Sequence, residues 1–179
     1  VNITETHRPT SREGWRTWLE EHHARKTEIW LLTDKASPAL TYLEAVEEAL
    51  CFGWIDGIAK RVDAHTGAQR FTPRRRKSHW TELNKERARR LIAQGRMTDA
   101  GRAVLPNLEI TPLLLAPDLE AALRADPQTW QHFQAFPENY KRIRIGYIEE
   151  VRGNREVFAS RLRNFVKQTR QNKQFGGTQ

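Results

Sequence analysis

The chain has 179 residues, one cysteine and a net charge of +8. A single thiol excludes an internal disulfide framework and fits a reducing, cytoplasmic setting. The longest apolar runs, such as 113–116, are far too short to span a membrane, so no membrane insertion is expected. The charge is unevenly placed: residues 1–59 carry a balance of −4, residues 60–102 one of +9, and residues 103–179 one of +3. A basic middle segment attracts polyanions, and a solvated cationic face is the plainer account of the same pattern.

Residues 1–10 read as a loose arm. Thr10 or Ser11 can cap a helix with Trp15, Trp18 and Leu19 on one face. His22 and His23 end it, and adjacent histidines on a helix diverge too far to share a metal. Residues 28–33 read as a strand apolar on both faces, so interior to a sheet. Thr41-Tyr42-Leu43-Glu44 matches a capping box for a helix over 41–52, with Tyr42, Val46, Ala49 and Leu50 as the buried stripe and Gly53 as terminator.

Residues 54–62 and 69–72 read as a β-hairpin around the turn 63–67, ended by Pro73. Ser78 can cap a helix with Trp80, Leu83, Ala88, Leu91 and Ile92 inward and Lys85, Arg87, Arg89 and Arg90 outward. A short helix follows over 99–105, and three prolines mark a connector over 106–117. Apolar stripes over 119–123, 130–133, 140–151 and 157–166 make the remainder all-helical, and the polar, Gly-rich 172–179 reads as a disordered tail. The expected fold is α+β: a small, mostly antiparallel sheet of about three strands packed with helices over 1–105, the connector, then an all-helical part over 118–171.

No motif for phosphate loops, dinucleotides, nucleophile elbows or zinc is present, so no catalytic residue, metal or cofactor is assigned and an enzyme is the less favoured reading. Cys51 sits at the C-terminal end of its helix, where the dipole disfavours a thiolate, and reads as a buried small hydrophobe. The candidate anion-binding residues are Lys60, Arg61, Arg70, Arg74, Arg75, Arg76, Lys77, Lys85 and Arg89. Interleaved with them, Trp54, Phe71 and Trp80 either stack bases or belong to the core. Asp56 shares a strand face with Trp54, and simple hairpin register would bring it to Arg70 or to an arginine just past Pro73.

The motifs from Ala49 to Gly57 and from Arg70 to Arg75, with Lys77, Ser78 and Trp80, resemble the YdeI/OmpD-associated, or bacteriocin-protection, family. Trp15 to Leu19, Leu91 to Met97 and the helical pair from Tyr140 to Val166 also fit, so the resemblance covers nearly the whole chain. It implies a small bacterial α+β protein connected with resistance to bacteriocins and cationic peptides, and carries no catalytic residue or cofactor. The leading expectation is a non-enzymatic protein that presents residues 60–102 to nucleic acid or a phosphorylated ligand. The alternatives are a small-molecule site for a carboxylate or phosphate, or an unrecognised enzyme, around Trp54, Asp56, Arg70, Thr72, His79 and Trp80. A protein-interaction module on the C-terminal helices is the third reading.

Overall fold

The computed structural model describes residues 2–177. Its elements run β1 (Thr6–His7), α1 (Arg12–His22), β2 (Ile29–Asp34), α2 (Tyr42–Cys51), β3 (Trp54–Arg61), β4 (Thr66–Pro73), α3 (Glu82–Ala93), α4 (Asp99–Arg102), α5 (Pro117–Arg124), α6 (Pro127–Ala135), α7 (Glu138–Glu149) and α8 (Arg155–Arg170). This is an α+β fold with helices at the C-terminal end. Among the described residues no helix is long and apolar enough to cross a membrane.

The sheet is four-stranded and mixed, in the order β1-β2-β4-β3, where about three mostly antiparallel strands were expected. The added strand is β1, which pairs in parallel with β2 through Thr6–Trp30 and His7–Leu31. Two residues are too few to show a strand period, so the arm around them carries no pattern. β4 begins at Thr66 because Asp63 Oδ1 accepts from the backbone N–H of His65 and of Thr66, which tightens the turn.

The chain forms two compact units, residues up to 79 with 87–107, and residues 80–86 with 108 onward. In the first, Ser11 caps α1 and the Thr41–Glu44 capping box starts α2. Trp15 and Leu19 of α1 are fully buried, and Trp15 meets Phe71 of β4 at 5.6 Å between ring centroids. The helices therefore lie on the sheet face that carries Phe71, Ile29 and Asp56, which are partners in register. Gly53 has φ +74° and ends α2. Thr98 donates to the Cys51 carbonyl through its hydroxyl (2.6 Å) and backbone N–H (3.1 Å), fixing α4 to the end of α2.

Two expectations for helices change. Tyr42 is 55% exposed, whereas Glu47 and Glu48 of α2 are buried, so the inward face of α2 is turned toward its carboxylates. The reason is a set of arginines that meets them there. α3 is capped by Thr81, whose hydroxyl accepts from Asn84 N at 3.1 Å, and begins later than a Ser78 cap implies. Ser78 instead receives a bond from Arg74.

In the second unit Leu119, Leu123, Phe133, Phe136, Tyr140, Ile145, Ile148 and Phe165 form the core. Asp126 caps α6 and Asn154 caps α8. Of the segment expected to be disordered, residues 172–177 are described. Phe175 packs on this core, and its N–H donates to the Tyr140 hydroxyl at 3.3 Å. Residues 178–179 of that segment lie outside the described residues.

Candidate anion-binding surface

β4 leaves the sheet at Pro73, and the chain turns at once into a loop held by one residue. Arg74 is buried, 6% exposed. Its backbone N–H donates to the Gly53 carbonyl at 2.8 Å. Its Nη1 donates to Ser78 Oγ at 3.1 Å and to the His79 carbonyl at 2.9 Å. Ser78 N closes the turn onto the Arg75 carbonyl at 2.9 Å. Burial lowers the Arg74 pKa and the charge of Asp56 works against that shift. An arginine starts so high that it stays cationic at neutral pH.

On this anchored turn Arg75, Arg76 and Lys77 are all exposed. Among the described residues none of the three has a carboxylate partner. They are three adjacent positive charges on a turn whose two ends are joined through Arg74.

The other candidate cations are differently employed. Arg70 is bound to Glu28, with Nε donating to Oε2 at 2.8 Å and Nη2 meeting the same oxygen. Lys85 pairs with Glu82 at 2.6 Å. Arg61 is exposed and its Nε donates to the Asp63 carbonyl at 2.9 Å; Lys60 and Arg89 are half-buried. Arg90 and Arg96 are drawn to carboxylates of α2. The broad basic segment thus narrows to the 75–77 turn, with Arg61 and Lys60 on the neighbouring hairpin.

The six residues expected to line a pocket are not gathered on one face of the sheet. Asp56 and Arg70 lie on opposite sheet faces: Asp56 is opposite Phe71, and neighbours along β4 alternate. Asp56 instead accepts from the Tyr42 hydroxyl at 2.5 Å. Its charge is also felt by Arg74 and by Arg87, both of which burial lowers. The expected arginine just past Pro73 is therefore Arg74, acting through space. Thr72 shares the Arg70 face and is half-buried. His79 is exposed and offers Arg74 its carbonyl. Trp54 and Phe71 are buried in the first unit, and Trp80, also buried, is grouped with the second. None of the three aromatics is available as a platform for bases.

A recess of about 430 Å³ does exist on the helix-covered face, farther along the sheet. Leu31, Thr33, Gln69, Ala59 and Arg61 form its floor, and Pro38, Leu40 and Tyr42 its wall.

Sequence reading missed the most heavily charged cluster in the first unit. Glu48 is fully buried and accepts from Arg12 Nε at 2.6 Å, from Arg16 Nη1 at 2.9 Å and from Arg96 Nη2. Glu47 accepts from Arg12 Nη2 at 2.9 Å and from Arg90 Nη2. Burial alone would lower the pKa of Arg12 and Arg16, but the bonds and charge of Glu48 leave both raised. The available signal was a pair of glutamates set among Ala45, Val46, Ala49, Leu50 and Cys51, where a helix has no polar side left for them. Both carboxylates of this cluster are held by arginines, which fits a structural role. Cys51 beside it is fully buried, and burial, helped by the Glu48 charge, pushes its thiol up to about 11. A thiol so high is inert at neutral pH. Among the described residues no three histidine, cysteine or acidic side chains converge as metal ligands.

Residues 7–104 match the family model described as Domain of unknown function (DUF8412). Residues 113–172 match the model described as Bacteriocin-protection, YdeI or OmpD-Associated. The resemblance read from the sequence is thus borne out in the C-terminal segment, while the motifs of 49–57 and 70–80 fall within the other match. No curated protein and no solved structure matches the chain.

Proposed function

The chain belongs to the family described as Domain of unknown function (DUF8412), and on that premise we propose that its 74–79 loop and adjoining hairpin bind the phosphate backbone of nucleic acid without reading sequence. The observation that carries this is the loop itself: a buried arginine anchors the turn, and three exposed cations follow it with no carboxylate partner among the described residues. Holding cations in place before binding lowers the ordering cost of phosphate contact. The buried state of Trp54, Phe71 and Trp80 favours backbone contact over base stacking. A cationic surface repels cationic peptides, so a part in bacteriocin protection, which the C-terminal match suggests, would run through such an anionic partner.

The test is binding of labelled single- and double-stranded oligonucleotides over a range of salt, for wild type and Arg75→Ala/Arg76→Ala/Lys77→Ala. Arg74 is left intact because it shapes the loop. Three phosphate contacts give a log K against log salt slope of about −2.7 on duplex and about −2.1 on single strands. The slope in the triple variant should shrink by about that amount. Absence of binding at low salt, or an unchanged slope, would overturn the proposal.

A second reading keeps a small-molecule site but moves it to the 430 Å³ recess, whose volume suits a compact ligand and whose lining includes Arg61 and Lys35 beside Asp34. Saturable binding of a small aromatic carboxylate, abolished by Ala59→Phe, would select this reading over the first.

A further inference from the structure

A recess of about 790 Å³ lies wholly in the helical unit. It runs along α8. Phe158, Leu162 and Val166 recur every four residues on that helix, one side of each against the core and the other toward the recess. Ala159 of α8 and Ala122 of α5 are small enough to leave it open, and Gln128 of α6 and Gln171 border it. Arg163, Lys167 and Arg170 form a cationic edge, all three exposed. No carboxylate is among the described lining residues. The nearest paired acid is Asp126, with Arg170 Nε at 4.0 Å, the limit of an ion pair.

We propose that this groove docks an acidic amphipathic helix of a partner protein. The spacing selects that occupant. The cations at 163, 167 and 170 are four and three residues apart and span seven residues, about 10.5 Å of helix. A ligand with one anionic head engages one of them. A chain that repeats carboxylates at the same four-and-three interval engages all three while its apolar face covers the Phe158–Leu162–Val166 stripe. This is the arrangement of a helix laid in a groove, with charged flanks setting partner and orientation. A basic amphipathic helix is rejected by the same edge.

The probes are two labelled helical peptides, each about three heptads long with leucines on one face, flanked by glutamates in one and lysines in the other. Fluorescence anisotropy should show binding of the glutamate peptide and not of the lysine peptide. Arg163→Glu/Lys167→Glu should weaken the glutamate peptide by about tenfold or more and admit the lysine peptide. Ala159→Trp should block both, with circular dichroism confirming the fold. Binding should persist in the Arg75→Ala/Arg76→Ala/Lys77→Ala protein, which separates this groove from the nucleic-acid surface. No binding of the glutamate peptide at low salt overturns the proposal. So does binding indifferent to the charge reversal, or lost with the 75–77 substitutions, or replaced by selective uptake of dodecanoate.

Discussion

Replacing Glu48 by glutamine isolates what a fully buried carboxylate does for this fold. Gln keeps the shape and removes the charge. Arg12, Arg16 and Arg96 would then face a neutral amide, one end of which is itself a donor. Breaking a buried ion pair by removing one partner costs about 3–5 kcal/mol. The three arginine side chains are 22, 27 and 35% exposed, so each can recover some hydration. That places the expected loss at the lower end, about 3 kcal/mol. For a chain of this length it corresponds to a fall in Tm of roughly 6–12 °C. Glu47→Gln should cost less, because Glu47 meets two arginines and not three. The assay is urea denaturation of both variants followed by tryptophan fluorescence, with Trp15, Trp30 and Trp54 reporting from the same unit. A Glu48→Gln loss below about 1 kcal/mol would refute the assignment of this cluster as a structural keystone.

Three further expectations follow from the same geometry. Although the Tyr42 side chain is half-exposed, desolvation at its hydroxyl end and the bond to Asp56 push that hydroxyl up to about 12. A folded-state pKa above the unfolded value of about 10 gives stability that is intact below pH 10 and lost as pH rises toward 12; Tyr42→Phe should flatten that fall in thermal melts, and Asp56→Asn should bring the phenol's absorbance titration to lower pH. Cys51 should react with a disulfide reagent far more slowly in the folded protein than in denaturant, and equal rates would contradict its burial. Gly101→Ala should destabilise by about 1–3 kcal/mol, since a Cβ there falls inside contact of the Cys51 carbonyl oxygen and of Met97; an unchanged urea midpoint would show that α4 moves away without cost.

What could be read in the sequence was what local rules encode. The Ser11 cap of α1, the α2 capping box and the 54–73 hairpin each depend on neighbours within a few residues, and the structure places them there. The helical character of the last third followed from its stripes. What failed depended on strand parity or on distant partners. Asp56 and Arg70 look like a pair until register puts them on opposite faces. Glu28 is the partner of Arg70 from 42 residues away. β1 is two residues long and owes its place to pairing with β2. Glu47 and Glu48 are tolerable inside only because arginines from three other parts of the chain reach them, and no window on α2 contains those partners. In the candidate surface, the basic run was legible as composition. The division of labour within it, with Arg74 inside and Arg75, Arg76 and Lys77 outside, was not.

The α2 carboxylates also impose an order on synthesis. Their first two arginines, Arg12 and Arg16, precede them in the chain, but Arg90 and Arg96 follow more than forty residues later. A nascent chain that has delivered the whole β-hairpin still lacks two of the four arginines that bond Glu47 and Glu48. Domains generally close as units behind the ribosome, and Arg96 is the last of the four partners to be made. The bonds around Glu48, beside the tryptophan-rich interior of α1 and the sheet, are complete only once about a hundred residues have emerged. The last of these guanidiniums to be made is the one that completes the set on Glu48.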